Sequence, residues 1–257
     1  MKIGAIVQGR MSSNRLPGKV LLPLAGKPVL WHVLNRLKFC KTLDVIVLAT
    51  SVSKEDRKLK KVADSLDIPT FFGSLDDVLS RYYLSAKKYK LDTVVRITAD
   101  CPVIDPHIVD EVVRRFIKGG YDLYGISGNF PDGLDTSVLS FKAIEDAYKK
   151  TKLPSDREHV GTTFFRTHKD MFKTGGYEKF KDKGNYRWTL DEPEDYEFLK
   201  KVYEALYQEG ELFFYQDIFK LLEKKPELMK INSFIGRNEG YAKSLKEDKK
   251  FLRKRKI

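Results

Sequence analysis

Residues 8–19 read Gln-Gly-Arg-Met-Ser-Ser-Asn-Arg-Leu-Pro-Gly-Lys and form a polar stretch between two apolar segments. The preceding run, residues 3–7, has the composition of a buried strand. After the polar stretch, Gly26-Lys27-Pro28 leads into apolar residues spaced as on one face of a helix over 29–37, and Pro28 suits the first turn of that helix. The pattern therefore predicts a strand, a polar loop and a helix.

The composition of this loop suits a polyanionic ligand such as a nucleoside triphosphate. Arginine forks match phosphate oxygens, and glycines let a backbone approach a ligand closely. A solvated basic loop is the alternative, and the composition alone leaves it open. Two common phosphate-binding motifs are absent, because they require glycine at position 13 or 11. The relevant residues are Arg10, Arg15, Lys19, Ser12, Ser13, Gly9 and Gly18.

Apolar strands alternate with amphipathic helices along the rest of the chain. We predict strands over 43–50, 70–72, 93–98, 121–126 and 185–190. We predict helices over 53–66, 78–86, 106–118, 141–150, 196–207 and 214–222, and a helix or an irregular segment over 154–160. This alternation indicates an α/β fold with a mostly parallel central sheet and helices on both faces. Ligands in such sheets bind beyond the carboxyl ends of the strands, where 8–19, 73–77 and 99–102 all fall.

The spacing Arg-x-x-Ser-x-Arg-x-Pro-Gly-Lys, followed by Gly-Lys-Pro, resembles the sugar-activating cytidylyltransferases. That family includes CMP-Kdo synthetase and acylneuraminate cytidylyltransferase, and the likeness is greatest to the spore coat polysaccharide biosynthesis protein F branch. Residues 73–82, 131–135 and 155–160 resemble the same branch. The resemblance implies a Rossmann-like nucleotide-diphospho-sugar transferase fold. We predict one domain over 1–242, with 128–185 as a protruding acceptor or dimer region, and a basic tail over 243–257.

The resemblance also implies roles for individual residues. Catalysis would rest on Arg15, Lys19 and Asp100. Nucleotide binding would use Gln8, Gly9, Arg10, Ser13, Arg15, Lys19, Ser74, Asp77 and Arg81. The sugar would contact Asp132, Asp135, Arg157, Glu158, His159 and Arg187. Taken by pattern alone, Asp77 and Arg81 could also form an exposed helical ion pair, and His159 could be structural.

Asp100 and Asp191 are candidate metal ligands because each follows a predicted strand at the functional edge. Mg²⁺ prefers oxygen ligands and takes one or two carboxylates together with phosphate oxygens. The pattern also allows a turn residue at Asp100 and a helix N-terminal acid at Asp191. Both segments resemble metal-binding segments of the same family, although alanine stands at position 99, where glycine is more usual. The resemblance implies Mg²⁺ as the cofactor.

The formal net charge of +12 is distributed unevenly. The last 15 residues, 243–257, hold eight Lys and Arg against two acids. This tail could contact nucleic acid, acidic lipid or a protein partner, or it could be a solvated helix end. No run of 18 apolar residues predicts a membrane span, and no signal-peptide pattern begins the chain. With two cysteines, Cys40 and Cys101, we expect a reduced cytoplasmic protein.

These observations predict transfer of a nucleotidyl group from CTP to a sugar or sugar acid, yielding a CMP-sugar and pyrophosphate for surface polysaccharide or glycoconjugate synthesis. The resemblance also makes a homodimer an expectation. Two alternatives stay open: a glycosyltransferase of related fold that consumes a nucleotide sugar, and a non-enzymatic protein whose basic tail binds nucleic acid. The sequence does not identify the sugar or the partner of the tail.

Overall fold

A computed structural model describes residues 1–237 and 239–254. Its centre is a seven-stranded sheet in the order β5-β4-β1-β6-β8-β7-β9, in which β8 runs antiparallel to both neighbours and every other pair is parallel. The strands are β1 Ile3–Gln8, β4 Val45–Ser51, β5 Thr70–Gly73, β6 Thr93–Thr98, β7 Leu123–Ile126, β8 Ser137–Ser140 and β9 Thr174–Tyr177. A separate hairpin pairs β2 Pro23–Leu24 with β3 Lys27–Pro28.

Helices cover both faces of the sheet, so alternate residues of a strand enter different cores. Ala5 and Val7 of β1 pack into one core, and Ile6 packs into the other. The predicted fold class is thereby confirmed. The helices are α1 Val29–Leu37, α2 Arg57–Asp64, α3 Val78–Tyr89, α4 Pro106–Gly119, α5 Phe141–Lys150, α6 Pro154–Glu158, α7 Thr162–Thr167, α8 Pro193–Leu206, α9 Tyr215–Lys224 and α10 Glu239–Lys254, with 3₁₀ turns at Lys19–Leu21 and Pro226–Ile231.

Three predicted elements differ from the structure. Residues 185–190 form no strand, and an isolated bridge between Asp132 and Arg187 takes its place. Pro28 lies just before α1 in an extended conformation, so it precedes the first turn instead of occupying it. The helix predicted over 53–66 begins at Arg57, because Ser53 forms a turn in which its Oγ accepts a hydrogen bond from the Asp56 N–H.

Two sheet strands escape prediction because they are short and carry weak strand signals. β8 inserts in the middle of the sheet, between β6 and β7, with only four residues. β9 reads Thr-Gly-Gly-Tyr, and glycine is depleted in strands. The stretch 128–185 thus supplies two strands of the central sheet together with α5, α6 and α7. None of the described helices is both long and apolar enough to cross a membrane.

Candidate active site

A cleft of about 620 Å³ opens beyond the carboxyl ends of β1 and β6. Its volume falls within the range of small-molecule sites. Two strand ends, the polar loop, α6 and α10 all contribute to its walls. The predicted site residues that line it are Gln8, Gly9, Arg10, Ser13, Arg15, Lys19, Arg81, Asp100, Glu158, His159 and Asp191.

The loop that follows β1 is held in place by backbone and side-chain hydrogen bonds. The Met11 N–H donates to the Asp56 carboxylate over 2.6 Å, and Asp56 also accepts a bond from Ser51 Oγ at the end of β4. The loop closes where the Gly18 N–H donates to the Met11 carbonyl over 3.0 Å. Gly18 has φ of 71°, a left-handed conformation that favours glycine. Asp56 thereby positions the loop, a role that the sequence analysis did not predict.

Lys19 joins the two predicted metal ligands. Its Nζ donates to Asp100 Oδ2 and to Asp191 Oδ1, each over 2.6 Å, and to the Leu190 carbonyl over 2.7 Å. Burial alone would lower the pKa of Lys19, but the attraction of both carboxylates outweighs it and raises that pKa. Burial likewise opposes ionisation of Asp100, yet the Lys19 ammonium holds the pKa of Asp100 below its usual value. The ion pair between Lys19 and Asp100 thus favours the charged form of both side chains.

The geometry of Asp100 and Asp191 fits a hard divalent cation. One carboxylate oxygen from each residue lies within hydrogen-bonding distance of the same atom, Lys19 Nζ, so the two side chains converge on one point. In the described ranges no group of three or more His, Cys, Asp or Glu side chains could hold a metal. Two converging carboxylates are a donor set that suits an Mg²⁺ whose other ligands are phosphate oxygens and water.

Further ion pairs surround this cluster. Arg15 binds Asp191 over 2.9 Å and Glu192 over 3.2 Å. Behind the cleft, buried Arg187 forms a bidentate ion pair with Asp195: Nε donates to Oδ1 over 2.8 Å, and Nη2 donates to Oδ2 over 2.9 Å. The Asp195 carboxylate also accepts the N–H groups of Asp191 and Glu192, each over 2.9 Å. Arg187 and Asp195 thus position Asp191, and sequence reasoning missed this role of Asp195.

Two lining residues carry buried polar atoms without hydrogen-bond partners. Arg81 is 2% exposed, and neither its Nε nor its Nη1 has a partner; the same is true of Gln8 Oε1. Burial lowers the pKa of Arg81. Gly73 makes room for this side chain, since a Cβ there would lie 2.8 Å from Arg81 Cγ. Buried polar groups are normally paired, so these atoms are suited to a ligand in the cleft.

Several predicted site residues lie outside the cleft lining and make structural contacts. Asp77 caps α3 by accepting the Ser80 N–H over 2.8 Å, and the Ser74 hydroxyl accepts the Asp77 N–H. Arg157 donates to Asp77 and to the carbonyls of Tyr148 and Thr151.

The predicted sugar contacts Asp132 and Asp135 also lie behind the cleft. Asp132 accepts from Arg187 Nη1 over 3.2 Å, and Asp135 accepts the Gly133 N–H over 2.8 Å. Burial and the neighbouring Asp135 raise the pKa of Asp132. The cleft therefore contains two of the six predicted sugar contacts, Glu158 and His159.

The wall opposite the loop is built by α6 and α10. The Ser244 hydroxyl bonds His159 Nε2 over 2.9 Å and Glu158 over 2.8 Å, and Lys243 also lines the cleft. Burial lowers the pKa of His159. Asp248 anchors α10 by accepting the Ser155 N–H over 2.9 Å. Part of the predicted basic tail, 243–254, is thus a helix beside the cleft, and residues 255–257 lie outside the described residues.

Comparison with known proteins shows the family of this chain. A family model described as Cytidylyltransferase matches residues 4–225. The spore coat polysaccharide biosynthesis protein SpsF of Bacillus subtilis is 30% identical over 230 residues, which cover 86% of this chain and 94% of SpsF. The 3-deoxy-manno-octulosonate cytidylyltransferase of Oleidesulfovibrio alaskensis is 34% identical over 118 residues, which cover 44% of this chain and 46% of that protein. A solved cytidylyltransferase structure from Leptospira borgpetersenii aligns with a TM-score of 0.85 and 33% identity, covering 92% of this chain and 100% of that one. The resemblance predicted from the loop is thereby confirmed, and the chain belongs to the cytidylyltransferase family of enzymes.

Proposed function

We propose that this enzyme transfers CMP from CTP to a sugar acid and releases pyrophosphate. The observation that carries the proposal is the cleft in which the basic loop and two converging aspartates face each other. An acceptor hydroxyl oxygen attacks the α-phosphorus and gives up its proton to water, the bond from that phosphorus to the bridging oxygen breaks, and pyrophosphate leaves with the electron pair. Positioning and charge stabilisation dominate such a transfer.

The residues of the cleft divide into three roles. Asp100 and Asp191 would hold Mg²⁺, which neutralises developing charge on the phosphates when it is bound. Lys19 and Arg15 would bind the oxygens of the leaving pyrophosphate and stabilise its charge. Arg81 and Gln8, whose buried polar atoms lack partners, would hydrogen-bond the nucleotide.

The names of two relatives support a sugar acid as the acceptor. One relative is named as a 3-deoxy-manno-octulosonate cytidylyltransferase and another as a spore coat polysaccharide biosynthesis protein. We propose that the acceptor of this enzyme is a sugar acid. We also propose that the enzyme acts in the cytoplasm, in the synthesis of surface polysaccharide. A homodimer stays a prediction from the family resemblance.

Pyrophosphate release tests the proposal. The purified protein is incubated with Mg²⁺, one of the four nucleoside triphosphates, and a panel of sugar acids and sugar phosphates. We expect release with CTP and one acceptor, and none from Asp100→Asn, whose thermal unfolding should stay cooperative. Release would also exclude the glycosyltransferase alternative, because that reaction liberates no pyrophosphate. Absence of CTP binding by calorimetry would refute the proposed function.

A further inference from the structure

A second cavity, of about 340 Å³, adjoins the cleft and shares His159 with it. It is lined by three cationic side chains, Arg96, Arg166 and Lys169, together with hydroxyl and apolar groups. Within the described ranges, no carboxylate lines it. The cavity is therefore electropositive, and we call it the Arg96 cavity.

Strand register places the Arg96 cavity and the cleft on one face of the sheet. Arg96 precedes Thr98 by two positions on β6, so both side chains point to the same side. Thr98 lines the cleft and Arg96 lines the second cavity. Two residues span about 6.6 Å along a strand. The Arg96 cavity therefore lies next to the part of the cleft that Thr98 lines, and His159 lines both.

Arg96 lacks the partners that an arginine within a sheet normally has. Its Nε is shielded from solvent and makes no hydrogen bond, and the residue is only partly exposed. Among the described residues, none of Arg96, Arg166 and Lys169 pairs with a carboxylate, although Arg166 lies over the Tyr241 ring at 5.5 Å. The Arg96 guanidinium is thus half-buried without a counter-ion, and an anionic ligand would supply one.

The remaining walls suit the body of a sugar. Ser137 stands opposite Arg96 in the β6–β8 pairing and presents a hydroxyl on the same face. Leu139 and Phe165 supply apolar surface beside it. Binding sites of this kind combine apolar walls with a few polar groups that fix orientation.

We propose that the Arg96 cavity binds the acceptor and that Arg96 pairs with its anionic group, the carboxylate of a sugar acid. The inference rests on the proposed function. It assigns acceptor selectivity to a residue that no family motif in the sequence marks. It also replaces Asp132, Arg157 and Arg187 as the expected acceptor contacts, since these bind partners within the protein.

The first test needs no knowledge of the acceptor. Thermal unfolding of wild type, Arg96→Met and the exposed-surface control Arg115→Met is measured with saturating CTP and Mg²⁺, while sulfate is varied as the anionic probe. Without sulfate, we expect Arg96→Met to unfold close to wild type, because the substitution removes no ion pair with a described carboxylate. We also expect it to lose the sulfate-dependent rise that wild type and the control show. A lower unfolding temperature for Arg96→Met, with an unchanged sulfate response, would mean a structural arginine and would overturn the proposal.

The second test uses the acceptor found by pyrophosphate release. Arg96→Met should raise KM for a sugar acid roughly 10- to 100-fold, as expected for loss of a charge-assisted hydrogen bond, and leave KM for CTP unchanged. If the enzyme prefers a sugar phosphate, the Arg96 cavity would still bind an anion, but the group that pairs with Arg96 would be a phosphate and the proposed carboxylate would be wrong. Turnover of a neutral sugar, unaffected by Arg96→Met, would overturn this inference and leave the proposed nucleotidyl transfer intact.

Discussion

Replacing Lys19 with methionine tests the charge arrangement of the cleft without requiring a substrate. The Nζ of Lys19 lies 2.6 Å from both Asp100 and Asp191, and Lys19 is 8% exposed. Removing one partner of a buried ion pair typically costs about 3–5 kcal/mol. Since the two aspartate side chains remain 24% and 23% exposed, water offsets part of that cost. We expect Lys19→Met to lose about 2–3 kcal/mol of unfolding free energy.

That loss corresponds to a fall in melting temperature of about 5–10 °C for a chain of this size. The assay is thermal unfolding at pH 7 with EDTA and then with millimolar Mg²⁺. Mg²⁺ should restore most of the stability of Lys19→Met, because a cation can then occupy the point where the carboxylates converge. Wild type without nucleotide should respond weakly, since the ammonium already occupies that point.

Lys60→Met is the matched control, because Lys60 pairs with Asp64 on an exposed helix surface. Such a pair contributes little to stability, so the melting temperature of this variant should be close to that of wild type and should not change with Mg²⁺. The reasoning about the cluster would be refuted if Lys19→Met were as stable as wild type. An unstable Lys19→Met that does not respond to Mg²⁺ would refute the metal assignment alone.

The pH dependence of the same pair has a defined sign. The pKa of Asp100 is lower in the folded than in the unfolded state. Its contribution to the free energy of unfolding is therefore present above the unfolded value of about 4 and is lost as pH falls through the folded pKa. The folded pKa of Lys19 is raised, so its contribution is complete below about pH 10 and is lost above it. The stability gap between wild type and Lys19→Met should therefore hold from pH 5 to 9 and narrow below pH 4.

Three further predictions concern residues outside the cluster. His32 is 3% exposed, bonds the Leu24 carbonyl, and has its pKa lowered to about 4 by burial. The unfolded state therefore binds more protons than the folded state below pH 6.5. In denaturant titrations, the free energy of unfolding of wild type should fall by about 3 kcal/mol more than that of His32→Gln between pH 7 and 4. Arg157→Met should lower the free energy of unfolding by about 1–3 kcal/mol, because its hydrogen bonds are lost, and should leave KM for CTP and KM for the acceptor unchanged. A raised KM for the acceptor would show that Arg157 contacts the substrate. Asp248→Ala should detach α10 from α6 and raise KM for CTP, because Lys243 and Ser244 line the cleft; unchanged steady-state kinetics would show that α10 contributes nothing to binding.

The residues that sequence reasoning placed together are those that lie next to the end of a buried strand. The cleft lining includes Gln8, Arg10 and Lys19 because Gln8 ends β1 and the other two belong to the loop that follows it. Asp100 joins them because β6 is the parallel neighbour of β1 and ends at the same edge. In a parallel sheet, strand order and direction are enough to bring such residues together.

Other site features depend on contacts between distant parts of the chain. Asp77 and Arg157 lie in segments that resemble family motifs, yet they bond each other across 80 positions. No local sequence pattern distinguishes such a pair from two residues that contact a ligand. The wall formed by α10 depends on Asp248 reaching Ser155, 93 positions away, and α10 lies beyond the residues that the family model matches. Periodicity predicts which face of a helix is apolar but does not identify the element it covers.

The cations of the cleft pair with acidic side chains of the same cleft. Lys19 and Arg15 bond the aspartates and Glu192 at the edge where the triphosphate is proposed to lie. On that proposal, a nucleotide must exchange these partners: the cations move to phosphate oxygens, and the freed carboxylates take up Mg²⁺. Metal and nucleotide binding would then be coupled, because each releases the partner that the other requires. Mg²⁺ should consequently tighten CTP binding to wild type far more than to Lys19→Met, and calorimetry with and without Mg²⁺ measures that difference directly.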